Sequence, residues 1–187
     1  MADIAASQAE EAVDAEPGVG DLLLWILAWS ELAAFGVLLC AFVIMGVLQP
    51  EMFADARRHL NVPLAAVNTL VLITSGWQAA RAARSGATRD ARRLALVLAA
   101  LLGLAFAAIK LWEYAGEANF AGDPALGGFF ELYFLITGFH LLHVVFGALV
   151  LMVVAIKPDR ENVTLITTLW HVFDLIWILM FPIVYLA

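Results

Sequence analysis

The sequence has a single cysteine, Cys40, which rules out an intrachain disulfide and any cysteine-rich metal site. Charge is almost as scarce: only 14% of the 187 residues are Asp, Glu, Lys or Arg, against 64% apolar. That balance excludes both a disordered chain and an ordinary soluble domain. The net charge of -7 looks acidic until it is located, because Asp3, Glu10, Glu11, Asp14, Glu16 and Asp21 carry most of it. Beyond Asp21 the two signs nearly cancel, so no basic cluster points to nucleic acid. No internal repeat and no long polar stretch divides the chain, which argues for one membrane domain.

Residues 1–20 mix Ala, Glu, Asp and Gly with no basic side chain, and read as a disordered acidic tail. A cleaved signal peptide opens with basic residues before a short apolar core, and this start does not. Apolar runs follow at about Leu22–Leu48, Val62–Ala82, Leu94–Tyr114, Phe129–Ile156 and Val163–Leu186. About 20 apolar residues at a rise of about 1.5 Å each cross a hydrocarbon core of about 30 Å. The expected fold is therefore all-α, a bundle of five transmembrane helices over 21–187. Its linkers carry Gln49-Pro50-Glu51, Arg84-Ser85-Gly86, Gly122-Asp123-Pro124 and Lys157-Pro158-Asp159. Pro63 and Pro182, near span ends, are expected to fix a helix start or a bend. Arg81, Arg84, Arg89, Arg92 and Arg93 in the second linker, with Lys157 and Arg160 in the fourth, outnumber Arg57 and Arg58 on the other side. The excess places the N-terminus in the cytoplasm and the C-terminus in the periplasm of a bacterial inner membrane.

Ionisable groups inside a span are costly and turn toward neighbouring helices, a cavity or a partner. Seven fall here: Glu31, Lys110, Glu113, His140, His143, His171 and Asp174. Counting residues from the span ends puts Glu31, His143, His171 and Asp174 in one mid-membrane layer. Lys110 and His140 form a second layer nearer the periplasm, with Glu113 one turn beyond Lys110. Lys110/Glu113, His140/His143 and His171/Asp174 are each i,i+3 and share a helix face. The plainer reading of the group is a buried polar network that joins helices by hydrogen bonds. The sharper one is proton handling. His143 is expected to meet Asp174, since depth matches and each would satisfy the other. Glu31 has no basic residue on its own span. A carboxyl group alone in low dielectric favours its neutral form, so Glu31 is either a proton-exchange group or a neutral hydrogen-bond donor.

Two other function classes compete. His143 with His171 would be the axial pair of an autonomous b-type haem cytochrome, and Glu31, Lys110 and Asp174 would line a small proton-coupled transporter. The transporter lacks the repeats and paired broken helices of that class. Trp25, Trp29, Trp77, Trp112, Trp170 and Trp177 divide between interfacial belt and packing. Ser30, Ala34, Gly36 and Cys40, and Gly103 with Ala107, are expected to let helices approach closely.

The polar residues also form recognisable phrases. Thr137-Gly138-Phe139-His140-Leu141-Leu142-His143-Val144, followed by Gly147, resembles the TGxHxxHVxxG signature of subunit III of haem-copper oxidases. Trp170-His171-Val172-Phe173-Asp174-Leu175-Ile176-Trp177 is similar to that family's WHxxDxxW element. Trp29-Ser30-Glu31 matches the span that carries its membrane carboxylate, and Lys110-Leu111-Trp112-Glu113-Tyr114 its QxxEY or KxxEY phrase. The resemblance covers about Leu22 to Leu186. The long form has seven spans, and this chain lacks the first two, so lipid sites formed by those helices do not carry over. Lys110 in place of glutamine, together with residues 68–75, is most similar to short NorE-type members associated with denitrifying nitric-oxide reductase. Short quinol-oxidase subunits III come next.

The resemblance implies a non-catalytic subunit that binds no cofactor or metal of its own. Haem, with copper or non-haem iron, would belong to a partner catalytic subunit of a cytochrome c oxidase, quinol oxidase or nitric-oxide reductase. The chain would sit among membrane lipids and support that partner's proton uptake, assembly or stability in aerobic or denitrifying electron transport, with Glu31 at the carboxylate position tied to proton uptake.

Overall fold

The computed structural model describes residues 19–187. The tail expected over 1–20 lies outside the described residues except for Val19 and Gly20, which open the first helix. Six α-helices follow in order: α1 (Val19–Leu48), α2 (Pro50–Arg57), α3 (Val62–Ala83), α4 (Arg89–Ala121), α5 (Gly127–Ile156) and α6 (Arg160–Phe181). All but α2 are long and apolar enough to cross a membrane. Hydrocarbon offers the backbone no hydrogen-bond partner, so helices that satisfy their own N–H and C=O groups are the form these runs must take.

Helices α3, α4, α5 and α6 close into a ring in which each packs on the next and α6 returns to α3; α1 lies outside it, against α6 and more lightly α5. The tightest seam is α3 on α4. Lipid tails are as apolar as leucine, so helices are drawn together by close packing and interhelical hydrogen bonds rather than by water exclusion. The sequence supplies both at this seam. Ala65, Ala79 and Ala82 of α3 are buried, as are Ala95, Ala99 and Ala100 of α4. Across it Asn68 Nδ2 donates to the Phe106 carbonyl at 3.1 Å and Ser75 Oγ to the Ala99 carbonyl at 2.7 Å.

The helix ends follow local chemistry. Asn61 Oδ1 accepts from Leu64 N (3.1 Å) and Thr88 Oγ1 from Ala91 N (3.3 Å), each satisfying one of the free donors at a helix start. Pro63 stands in the first turn of α3, where its missing N–H costs nothing. Pro182 has the opposite effect: with no N–H to continue the ladder, α6 widens into a π-helical turn over Pro182–Leu186.

Two features depart from the expected spans. Helix α4 runs past Tyr114 to Ala121, because Glu113 and Glu117 find shelter inside the bundle rather than ending the helix in water. The first linker also holds the short helix α2, started by Pro50 and pinned by Phe53, whose ring meets Phe42 of α1 and Phe129 of α5 edge-on, each at 5.1 Å. From α2, Arg57 donates to the Val184 and Ile183 carbonyls at 3.2 and 3.3 Å, capping the terminal turn.

The small-residue expectation holds for one helix only. Gly103 meets Trp170 of α6, and Gly147 of α5 meets the same indole. Ser30, Ala34 and Cys40 of α1 are exposed, and Gly36 has open space where a Cβ would stand. These residues lie on the uncovered side because α1 has neighbours on one side only.

Candidate functional site

The candidate residues resolve into three separate groups rather than one network. The first joins α1 to α5. His143 Nε2 lies 3.0 Å from Glu31 Oε2, with both side chains about one-sixth exposed. The approach is close but bent, meeting the distance of an ion pair and not the direction of a hydrogen bond. The other ring nitrogen, Nδ1, is 2.7 Å from the Phe139 carbonyl. A carbonyl only accepts, so Nδ1 carries hydrogen and donates. Two bare lone pairs would repel at 3.0 Å, so one further proton resides on Nε2 or on the Glu31 carboxyl. Imidazolium with carboxylate and imidazole with carboxylic acid both sum to zero charge. Either form leaves the pair neutral, which is what a low-dielectric setting favours.

The basic partner that Glu31 lacks on its own helix is thus supplied by α5. This corrects the expected pairing of His143 with Asp174. Asp174 is approached by His171 of its own helix, Nδ1 to Oδ2 at 3.5 Å. The reason is rotation about the helix axes: equal depth does not put two side chains on facing sides. The second group lines a shallow surface cavity with Ile73, Gly76 and Trp77 of α3. His171, expected to be buried, has 46% of its side chain exposed. A Cβ at Gly76 would overlap Asp174 Oδ2, so the carboxylate would have to turn aside to admit one.

The third group lies toward the end of the bundle that holds the C-terminus. Lys110 is fully buried and uses all three N–H donors, on Glu113 Oε2 at 3.0 Å, on the Tyr133 hydroxyl at 2.7 Å and on the Tyr185 hydroxyl. Glu113 Oε1 accepts from Tyr185 at 2.8 Å. Satisfying every donor and acceptor is what makes a buried ion pair tolerable. Glu117, one turn past Glu113, is 3% exposed and belongs to the same cluster. Glu117, Tyr133 and Tyr185 were not among the sequence candidates; the spacing of Glu117 four residues after Glu113 was the available signal for the first.

Between the first and third groups sits His140, fully buried and stacked on Trp177 at 5.2 Å, with Phe35 and Phe106 edge-on. Neither of its nitrogens has a hydrogen-bond partner among the described residues. It is part of an aromatic layer, not of a polar relay. Trp177, deep in its span as expected, donates to Thr69 Oγ1 at 2.9 Å.

This arrangement bears on the competing classes. Both nitrogens of His143 are engaged, so serving as an axial haem ligand would break one of its contacts. Glu31, Lys110 and Asp174 stand in three different groups, so they do not converge on a transport path. Among the described residues no three His, Cys, Asp or Glu side chains group as metal ligands.

Fold and site together define an all-helical, multi-pass membrane protein whose few ionisable groups pair inside the bundle. The family model of cytochrome c oxidase subunit III matches residues 22–187, and the chain belongs to that family. It is 23% identical over 188 residues to a probable quinol oxidase subunit 3 of Staphylococcus aureus (strain USA300), covering 91% of this chain and 90% of that one. It is 31% identical over 153 residues to the cytochrome c oxidase subunit 3 of Lycodon semicarinatus, covering 75% of this chain and 56% of that longer one.

Proposed function

We propose that this chain is a non-catalytic subunit of a quinol or cytochrome c oxidase in a bacterial inner membrane, where it supports proton uptake by the catalytic subunit. The observation that carries this reading is the close approach of Glu31 and His143, 3.0 Å apart at the open edge of the bundle on its least covered helix. The outward side of the same helix exposes large apolar side chains, among them Ile26, Trp29 and Val37, an uncovered face suited to lipid or to a helix of another chain. The near full-length match to a quinol oxidase subunit favours an oxidase partner. The arginine excess in the second linker favours a cytoplasmic N-terminus, which would put Glu31 about 10 Å inside the Leu24–Leu48 span from that side.

A nitric-oxide reductase partner remains the second reading, favoured by the NorE-like Lys110 and residues 68–75. Those residues have structural work in this fold: Lys110 pairs with Glu113, while Asn68 and Ser75 tie α3 to α4. They fit either partner and leave the oxidase reading in front.

Glu31→Gln separates proton exchange from scaffolding. A glutamine amide can still donate to His143 Nε2, so the local fold should persist while the shared proton is lost. Assembly is expected to be unchanged, with proton uptake during turnover slowed severalfold and fewer turnovers completed before inactivation. Unaltered uptake and turnover lifetime would assign Glu31 a structural role.

A further inference from the structure

The third group contains one acidic side chain too many. Lys110 is its single cation, and that charge is already balanced by Glu113 at 3.0 Å. Tyr133 and Tyr185 complete the shell, and their hydroxyls are 2.9 Å apart. Glu117 is left beside Glu113 and Tyr133, near enough for both to act on its carboxyl group, yet neither carboxyl oxygen makes a hydrogen bond of good geometry among the described residues, though the residue is 97% buried. An ionised carboxylate so placed would add an unbalanced negative charge in low dielectric, next to a second carboxylate. A cation must therefore accompany Glu117.

The groups that face the cluster do not supply it. On α4 these are Lys110, Glu113 and Tyr114, whose hydroxyl donates to Thr137; on α5, Tyr133; on the terminal turn, Tyr185. Arg57 at the end of α2 is committed to the Ile183 and Val184 carbonyls, and His59 in the linker that follows is stacked on Phe120 at 4.2 Å. A metal cation is disfavoured as well. Hard cations take six or more oxygens, Lys110 would repel one, and no group of three metal-type ligands forms among the described residues. A proton needs one oxygen only.

We propose that Glu117 is a second proton-binding site of this chain, separate from Glu31 and exchanging through the end of the bundle that holds the C-terminus. Glu117 is four residues from the end of α4 at Ala121, about 6 Å along the axis, so its route to water is one helical turn. Toward Glu31 the way is closed by the aromatic layer of Phe35, Phe106, His140 and Trp177. The two sites therefore load independently.

Infrared titration of the purified full chain in mild detergent, from about pH 5 to about pH 9, reads this directly. The wild-type-minus-Glu117→Gln difference should show the carbonyl band of one protonated carboxylic acid per chain, falling as pH rises and returning when pH is lowered. Glu117→Asp should keep a titrating band at a displaced frequency, and it carries the test if the glutamine variant does not fold. Wild-type and variant spectra that coincide at every pH would overturn the proposal. So would a band that depends on whether sodium, potassium or choline is the buffer cation, which would make the ligand a metal ion. Because the chain is measured alone, the outcome is independent of which oxidase it serves.

Discussion

Lys110→Met is expected to destabilise the chain by about 3–5 kcal/mol, the usual cost of stranding one partner of a buried ion pair. Lys110 is fully buried and its ammonium binds Glu113, Tyr133 and Tyr185 at once, so its removal leaves a carboxylate and two hydroxyls without their donor. The readout is thermal unfolding in mild detergent, with recovery from the membrane as a second measure. The double variant Lys110→Met with Glu113→Gln should regain most of the loss, since a neutral amide no longer needs a cation. A single variant as stable as the wild type would show that the ion pair contributes nothing to the fold.

Gly103→Leu is expected to cost about 3 kcal/mol, by overpacking a site that has no slack. A Cβ at Gly103 would lie 2.6 Å from Cη2 and 2.8 Å from Cζ2 of Trp170, and that indole is fully buried with Gly147 against its Cε3 and Cζ3. It has nowhere to move. Gly116 on the same helix is the control: nothing lies within 4 Å of its would-be Cβ. Gly116→Ala should be neutral or stabilise α4 by up to about 1 kcal/mol, by helix propensity alone. Equal melting temperatures for the two variants would contradict the packing described for α4 on α6.

The five spans were legible because length and apolar content decide them in a bilayer, and the observed helices follow those runs to within a few residues on four of the five. Helix α4 is longer than its apolar run at both ends: the run Leu94–Tyr114 stops before the polar residues that follow Tyr114, and only the fold shows that Glu117 among them is sheltered inside the bundle. The same limit governs pairing. Spacing along one helix fixes which residues share a face, so Lys110 with Glu113 and His171 with Asp174 were readable. Which face meets which neighbour depends on rotation and tilt, so Glu31 with His143 was not. Helix α2 escaped notice for a different reason: its eight residues have no long apolar run, and it is held by a three-ring contact among Phe42, Phe53 and Phe129 that no local pattern announces. Family membership was readable because the histidine and aspartate phrases lie in continuous stretches, 137–147 and 170–177.

The central claim is that this bundle works beside a redox protein and is not itself one. Purification of the affinity-tagged chain from its native membranes in mild detergent tests it most directly, by visible spectroscopy and mass spectrometry of what is recovered. The account predicts a reducible haem spectrum that follows a co-purifying large subunit with oxygen-reducing activity and is absent from the tagged chain after the two are separated in harsher detergent. Haem that stays with the isolated chain, or repeated recovery of the chain without any haem-bearing subunit, would contradict it.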